Sequence, residues 1–236
     1  DMDDTKHRGL SYFIIDMNQP GVETQPLMQM NGHASFNQVF LTDAEVLPDF
    51  QVGELGDGWQ VATTTLMHER RAADSLRSWG QASKGDGPIY DQERVETETT
   101  MQPYKWYPQR AGRVDLIMDR AKETGAIKDP AIRQEIAKLM TLHKSAEWTA
   151  RRARAAQEQG KPQGPEGSLG KLAASNVARA AAKVHTLISG ADAMLTGEDS
   201  PMDGTIAEIL VSFPASSIAG GTDEIQKNII SERVLN

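Results

Sequence analysis

Two long alanine-rich runs, residues 130–159 and 168–196, constrain this chain more than any other feature. Between them lies Lys161–Gly167, which holds Pro162, Gly164, Pro165 and Gly167 and must be a loop. Helices of that length joined by so short a connection pack antiparallel, as in a bundle. The first run has a clear start, with Asp129 as cap and Pro130 in the first turn. Further helices are expected at 59–79, 109–124 and 222–233. Residues 83–108 are polar and irregular and read as a mobile excursion. No internal repeat is apparent.

The beginning of the chain follows a different pattern. Leu10, Tyr12, Phe13, Ile14 and Ile15 form a short apolar run ended by Asp16, Asn18, Pro20 and Gly21. Val22–Met30 alternates in places before the turn signal Asn31-Gly32, and Phe36–Leu41 is rich in β-formers. With no crossover helix among these three strand candidates, an antiparallel arrangement is expected. Glycines cluster from Gly53 to Gly58, and helical periodicity starts at Trp59. The fold class is therefore α+β. A partial antiparallel β-domain (1–52) precedes an antiparallel helical bundle (53–236).

Composition removes several chemistries. A chain of 236 residues can bury a substantial core. Its formal charge of -8 argues against a general nucleic-acid or anionic-membrane binder. With no cysteine, disulfides, thiolate metal sites and cysteine nucleophiles are excluded. The five histidines (His7, His33, His68, His143 and His185) show no metal-ligand spacing. Every apolar run is far shorter than the roughly 20 residues that cross a bilayer. The polar start at Asp1, with no initiating methionine, reads as a fragment of a longer protein.

One helix carries a candidate for proton chemistry. Ala62, Leu66, Glu69, Ala73 and Leu76 are spaced by four, three, four and three, a single helical stripe in which Glu69 alone is ionisable. Four of the five are apolar, so this stripe is expected to face inward, where Glu69 loses hydration and its pKa rises, the condition a general base near neutral pH requires. The alternative is a structural ion pair with an arginine across the bundle. Neighbouring Arg70 and Arg71 point to other faces of the helix.

The run Ser217-Ile218-Ala219-Gly220-Gly221-Thr222-Asp223-Glu224-Ile225-Gln226 places a small-residue turn before the last helix. It resembles the flavin- and thioester-contacting turn of the acyl-CoA dehydrogenases. Gly53–Trp59, leading to Leu66-Met67-His68-Glu69-Arg70, looks like the passage from β-domain to first C-terminal-domain helix in that family. The Phe36–Phe40 strand fits as well. The resemblance covers nearly the whole chain, which would be the C-terminal portion of a three-domain protein. It implies the isovaleryl-CoA-type branch, where the base sits on this helix in a Leu-x-x-Glu-Arg context and a glycine or alanine replaces the terminal glutamate. Glu69 and Gly220 show both halves of that pattern.

The resemblance implies an FAD-dependent α,β-dehydrogenation of an acyl-CoA. Glu69 would take the α-proton, and the β-hydrogen would leave as hydride to flavin N5. Gly220 would supply a backbone N–H to the thioester carbonyl, where enolate charge develops. Cofactor contacts would come from Thr222, Glu224 and Gly190, and substrate contacts from Arg70 and Gly221. Thr222 and the acidic first turn are equally explained by helix capping. Electrons would pass to an electron-transferring flavoprotein. A homodimer or homotetramer is implied, or a mixed tetramer with a related subunit, in the cytoplasm or the mitochondrial matrix. A rival reading is a non-catalytic or scaffold subunit of a mixed complex. It draws on the family's glycine-rich turn being reduced to Gly190-Ala191-Asp192-Ala193, and on the absence of a recognisable arginine motif for the FAD pyrophosphate within 83–110. A third reading is a flavoprotein of this fold acting on something other than an acyl-CoA, such as a nitroalkane.

Overall fold

Short β-formers at the start of the chain pair locally. β1 (Tyr12–Phe13) runs antiparallel to β4 (Gln51–Val52), and β2 (Val22–Leu27) to β3 (Phe36–Leu41). The second pair keeps register from Val22 opposite Leu41 to Leu27 opposite Phe36. Gly32, at a φ of +79°, serves the expected turn between them, closed by a Gln29 N–H donating to the His33 carbonyl at 2.9 Å. The expected antiparallel β-structure is present, divided into two two-stranded sheets. This computed structural model describes residues 3–4, 6–79, 85–101, 108–161, 164 and 166–235; of these, the side chains of 70, 71, 73–79, 100, 101, 108 and 166 stay outside the description.

The glycine cluster after β4 has a steric cause. A Cβ on Gly58 would lie 2.7 Å from the Leu10 carbonyl oxygen, and one on Gly56 would lie 2.7 Å from that of Arg8. The Gly58 N–H donates to Leu10 at 2.8 Å, so the start of α1 (Gly58–Trp79) lies directly against the β1 approach. His7 stacks on Trp59 at the same place, with ring centroids 4.0 Å apart.

Contacts divide the chain into two compact units. One holds residues 1–29 and 33–106, and the other holds 30–32 and 107–236. Strand gives way to helix near residue 53, as composition suggested, yet α1 and α2 (Pro88–Met101) group with the strands. Over 88–101 the helix α2 corrects the expectation of irregular structure across 83–108, of which 83–84 and 102–107 lie outside the described residues. Its sequence, Pro-Ile-Tyr-Asp-Gln-Glu-Arg-Val-Glu-Thr-Glu-Thr-Thr-Met, lacks an apolar stripe, so no periodicity announced it.

The second unit carries the core. The predicted helix 109–124 is instead two 3-10 turns, Pro108–Ala111 and Val114–Leu116, followed by α3 (Ile117–Glu123). Left-handed backbone at Gly112 and Arg113 interrupts the run. α4 (Pro130–Glu158) starts as expected: Asp129 accepts from the Ala131 N–H at 2.7 Å. α5 (Glu166–Ser189) ends earlier than 196 because Gly190 turns left-handed and a 3-10 turn, Gly190–Met194, follows. Lys183, late in α5, bonds Glu135, early in α4, at 2.6 Å, so the two helices run antiparallel.

Ile117, Ala121, Ile136, Leu139, Val177, Ala181, Val184 and Ile188 pack as one core between α3, α4 and α5. A smaller cluster of Ala182, Ala193, Ile206 and Ile209 seats α6 (Thr205–Ser212), a helix the sequence reading left unassigned. α7 (Asp223–Arg233) closes the chain. Among the described residues, no helix is long and apolar enough to cross a membrane.

Candidate functional site

The turn before α7 takes its shape from two consecutive left-handed glycines, Gly220 at φ +70° and Gly221 at φ +97°. Their surroundings differ. A Cβ on Gly220 would meet nothing within 4 Å, so this position opens outward, whereas one on Gly221 would lie 2.7 Å from Gln226 Nε2. Buried Gln226 donates to the carbonyls of Gly220 (3.2 Å) and Gly221 (3.4 Å), latching the turn from inside the helix. Among the described residues, no acceptor stands in hydrogen-bonding geometry to the Gly220 N–H.

Thr222 is the cap of α7, its hydroxyl oxygen accepting from the Ile225 N–H at 3.3 Å. Glu224 is exposed in the first turn. Asp223 is 5% exposed and holds a network that sequence reasoning saw only as first-turn acidity. One carboxylate oxygen accepts from Lys171 at 3.2 Å, and the other from Ser175 at 2.8 Å and Arg179 at 3.0 Å. Arg179 also donates to Ser217 at 2.9 Å, and the hydroxyls of Ser217 and Ser175 lie 2.8 Å apart. Burial pushes the Asp223 carboxyl upward, but the bonds from Ser175, Arg179 and Lys171 outweigh it and the net shift is downward. Lys171, Ser175 and Arg179 stand at i, i+4 and i+8 on α5, one face of the helix. That spacing was the signal available in the sequence.

The α1 stripe is described only in part. Leu66 is 49% exposed and Glu69 is exposed; the side chains of Arg70, Ala73 and Leu76 lie outside the described residues. Ala62, at the head of the same stripe, is half-buried. Gly190 is exposed, at φ +59°, and a Cβ there would meet nothing within 4 Å. Gly220, Gly221, Thr222 and Glu224 thus share one turn, while Glu69 belongs to the other compact unit.

Two further features lie away from that turn. An open cavity of about 1030 Å³ is lined by Val114, Met118, Met140, His143, Ala146 and Val177 among others, and by none of the sequence-predicted site residues. His185, fully buried, places Nε2 3.1 Å from the Gly112 carbonyl and 3.2 Å from that of Arg113. Facing two acceptors, Nε2 carries the proton, and burial pushes the imidazole pKa down. This is a structural histidine that pins the Gly112 loop to α5.

The family profile for the acyl-CoA dehydrogenase C-terminal domain matches residues 111–235, a little over half of the chain. The acyl-CoA dehydrogenase IpdE1 of Mycolicibacterium smegmatis is 33% identical over 233 residues, covering 98% of this chain and 50% of that protein. IpdE1 of Mycobacterium tuberculosis is 30% identical over 236 residues, covering 98% and 51%. The chain thus spans about half the length of the curated relatives it matches. Among solved structures, the Tcur3481–Tcur3483 steroid acyl-CoA dehydrogenase superposes with a TM-score of 0.70 at 18% identity, over 98% of this chain and 53% of that one. From its core helices to its terminal turn, the chain belongs to the acyl-CoA dehydrogenase family.

Proposed function

We propose that this chain is the C-terminal part of an FAD-dependent acyl-CoA dehydrogenase in which Glu69 is the base and the Gly220 N–H binds the thioester oxygen. The observation that carries the reading is the pairing of Glu69, in a Leu-Met-His-Glu-Arg context, with a terminal turn whose usual glutamate position is Gly220. Gly220 keeps its N–H whatever its side chain, and that turn opens outward. A thioester α-proton is too weakly acidic for a free carboxylate, so a donor at the carbonyl oxygen lowers the barrier as enolate charge develops. Glu69 is exposed, so a bound thioester has access to its carboxylate.

The turn fits an uncharged part of the cofactor. Asp223 is committed to Lys171 and Arg179, Thr222 presents a hydroxyl already oriented by its cap, and exposed Glu224 argues against a phosphate at this helix start. Thr222, Glu224 and Gly190 are the proposed contacts, with Arg70 and Gly221 toward the substrate. Bound FAD supplies the hydride acceptor. An electron-transferring flavoprotein is the proposed electron acceptor, and a homodimer, homotetramer or mixed tetramer the proposed assembly. The curated relatives reported above are mycobacterial, which favours a bacterial cytoplasmic setting over the mitochondrial matrix.

Anaerobic bleaching of the flavin in the holoenzyme by a panel of acyl-CoAs tests the reading, alongside Glu69→Gln. The parent should bleach with at least one thioester, and the variant should bind it yet reduce the flavin about 10²–10⁴-fold more slowly, the contribution of a positioned base. Equal bleaching by both proteins overturns the base assignment. A parent without flavin would favour the non-catalytic subunit of a mixed complex, the reading that the reduced turn after Gly190 supports.

A further inference from the structure

Both ends of the terminal turn are tied to the same face of α5. At its start, Ser217 meets Ser175 (2.8 Å) and Arg179 (2.9 Å); at its end, Asp223 meets Lys171, Ser175 and Arg179. The proton directions chain together. Arg179 donates to Ser217, and Ser175 spends its own proton on Asp223, so the Ser217 hydroxyl donates to Ser175. Only Ile218 to Thr222 remain between the two anchors, with Gln226 holding the Gly220 and Gly221 carbonyls. A carboxylate 5% exposed with three donors is far more ordering than the capping role a first-turn acid ordinarily has. A cap alone would need no lysine, serine and arginine at helical spacing opposite it.

We infer that Asp223, held by Lys171, Ser175 and Arg179, is a positioning residue that aims the Gly220 N–H at the thioester oxygen. The inference rests on the proposed role of Gly220. Two left-handed glycines leave this turn with little stiffness of its own. The direction of its N–H therefore depends on the anchors at Ser217 and Asp223. Loosening one anchor should leave the fold and substrate binding largely intact while misdirecting the donor. The cost then falls on the proton-abstraction step, where a small misplacement is expensive.

The test uses the holoenzyme and a 3-thia acyl-CoA, whose α-proton can leave but whose β-sulfur has no hydrogen to give. Its bound enolate is followed by absorbance against pH, next to kcat, KM and Tm with an oxidisable acyl-CoA. Asp223→Asn should raise the apparent pKa of the bound α-carbon by about one and lower kcat about tenfold, with KM changed less than about twofold. Ser175→Ala removes one neutral hydroxyl and leaves both cations, and it should shift both quantities the same way by less. If Asp223→Asn does not accumulate as holoenzyme, Ser175→Ala decides alone. Variants that lower Tm but leave the enolate titration and kcat at parent values overturn the inference. Glu69→Gln separates the two readings. If it still forms the enolate, the proposed site itself falls. If it forms none while Asp223→Asn titrates like the parent, only the positioning role falls.

Discussion

His185 and Asp223 respond to pH in the same sense but in different windows. Burial holds the His185 pKa below its ordinary value of about 6.5, so on acidification the unfolded chain takes that proton first. The stability this group contributes is present above about pH 6.5 and declines as pH falls toward the folded-state value. Asp223 has its carboxyl pKa depressed in the fold, so its contribution is present above about pH 4 and is lost as pH falls through the folded-state value. Chemical denaturation from pH 8 to 3 should show two successive losses. His185→Gln should remove the first, and Asp223→Asn should diminish the second. Asp115 and Glu135, also held low by bonds from their cationic partners, share that second loss. A parent profile flat between pH 7 and 5 would sink the His185 account. At this scale the sequence was legible for Gly220 and Thr222, because backbone conformation and capping are local properties. For Asp223 it offered only the spacing of Lys171, Ser175 and Arg179 on α5, and for Gln226 nothing. Their partners depend on how α7 meets α5 and on how tightly the turn closes.

Elements were legible where their stabilisation is written in periodicity or caps. α4 begins at Pro130 because Asp129 satisfies the first free N–H groups, accepting from Ala131 at 2.7 Å and Ile132 at 3.4 Å. Asp129→Ala should therefore cost about 1 kcal/mol, read as a lowered denaturation midpoint with an unchanged slope. A loss below a few tenths would mean that Pro130 and tertiary packing alone define that end. α2 and α6 show why other elements were missed. The first has no apolar stripe, its Ile89, Tyr90 and Val95 falling on different faces among polar residues. The second, Thr-Ile-Ala-Glu-Ile-Leu-Val-Ser, is so short and apolar that a strand would read the same. Left-handed Gly112 and Gly190 cut two predicted helices short. At Gly112 the sequence cannot foretell that a Cβ would lie 2.7 Å from that of Ala181.

At the scale of the whole chain, burial is distributed unevenly between the two units. All the buried apolar residues of the described chain, from Ile117 to Ile209, belong to the second unit. In the first unit, the sole buried described residue is Gly58, while Phe36, Val39, Phe40 and Leu41 on β3 are all exposed. Hydrophobic burial is the dominant favourable term in folding, so cooperativity should follow the core. A polypeptide of residues 107–236 is thus expected to fold by itself, with helical circular dichroism and a single cooperative thermal transition. Residues 1–106 alone should show no cooperative transition, since small antiparallel sheets with solvated apolar faces are marginal. Comparable melting of both pieces would mean that the strands and α1 hold a core of their own. Melting of neither would mean that α3, α4 and α5 need the first unit to close, and that the bundle is not an independent folding unit.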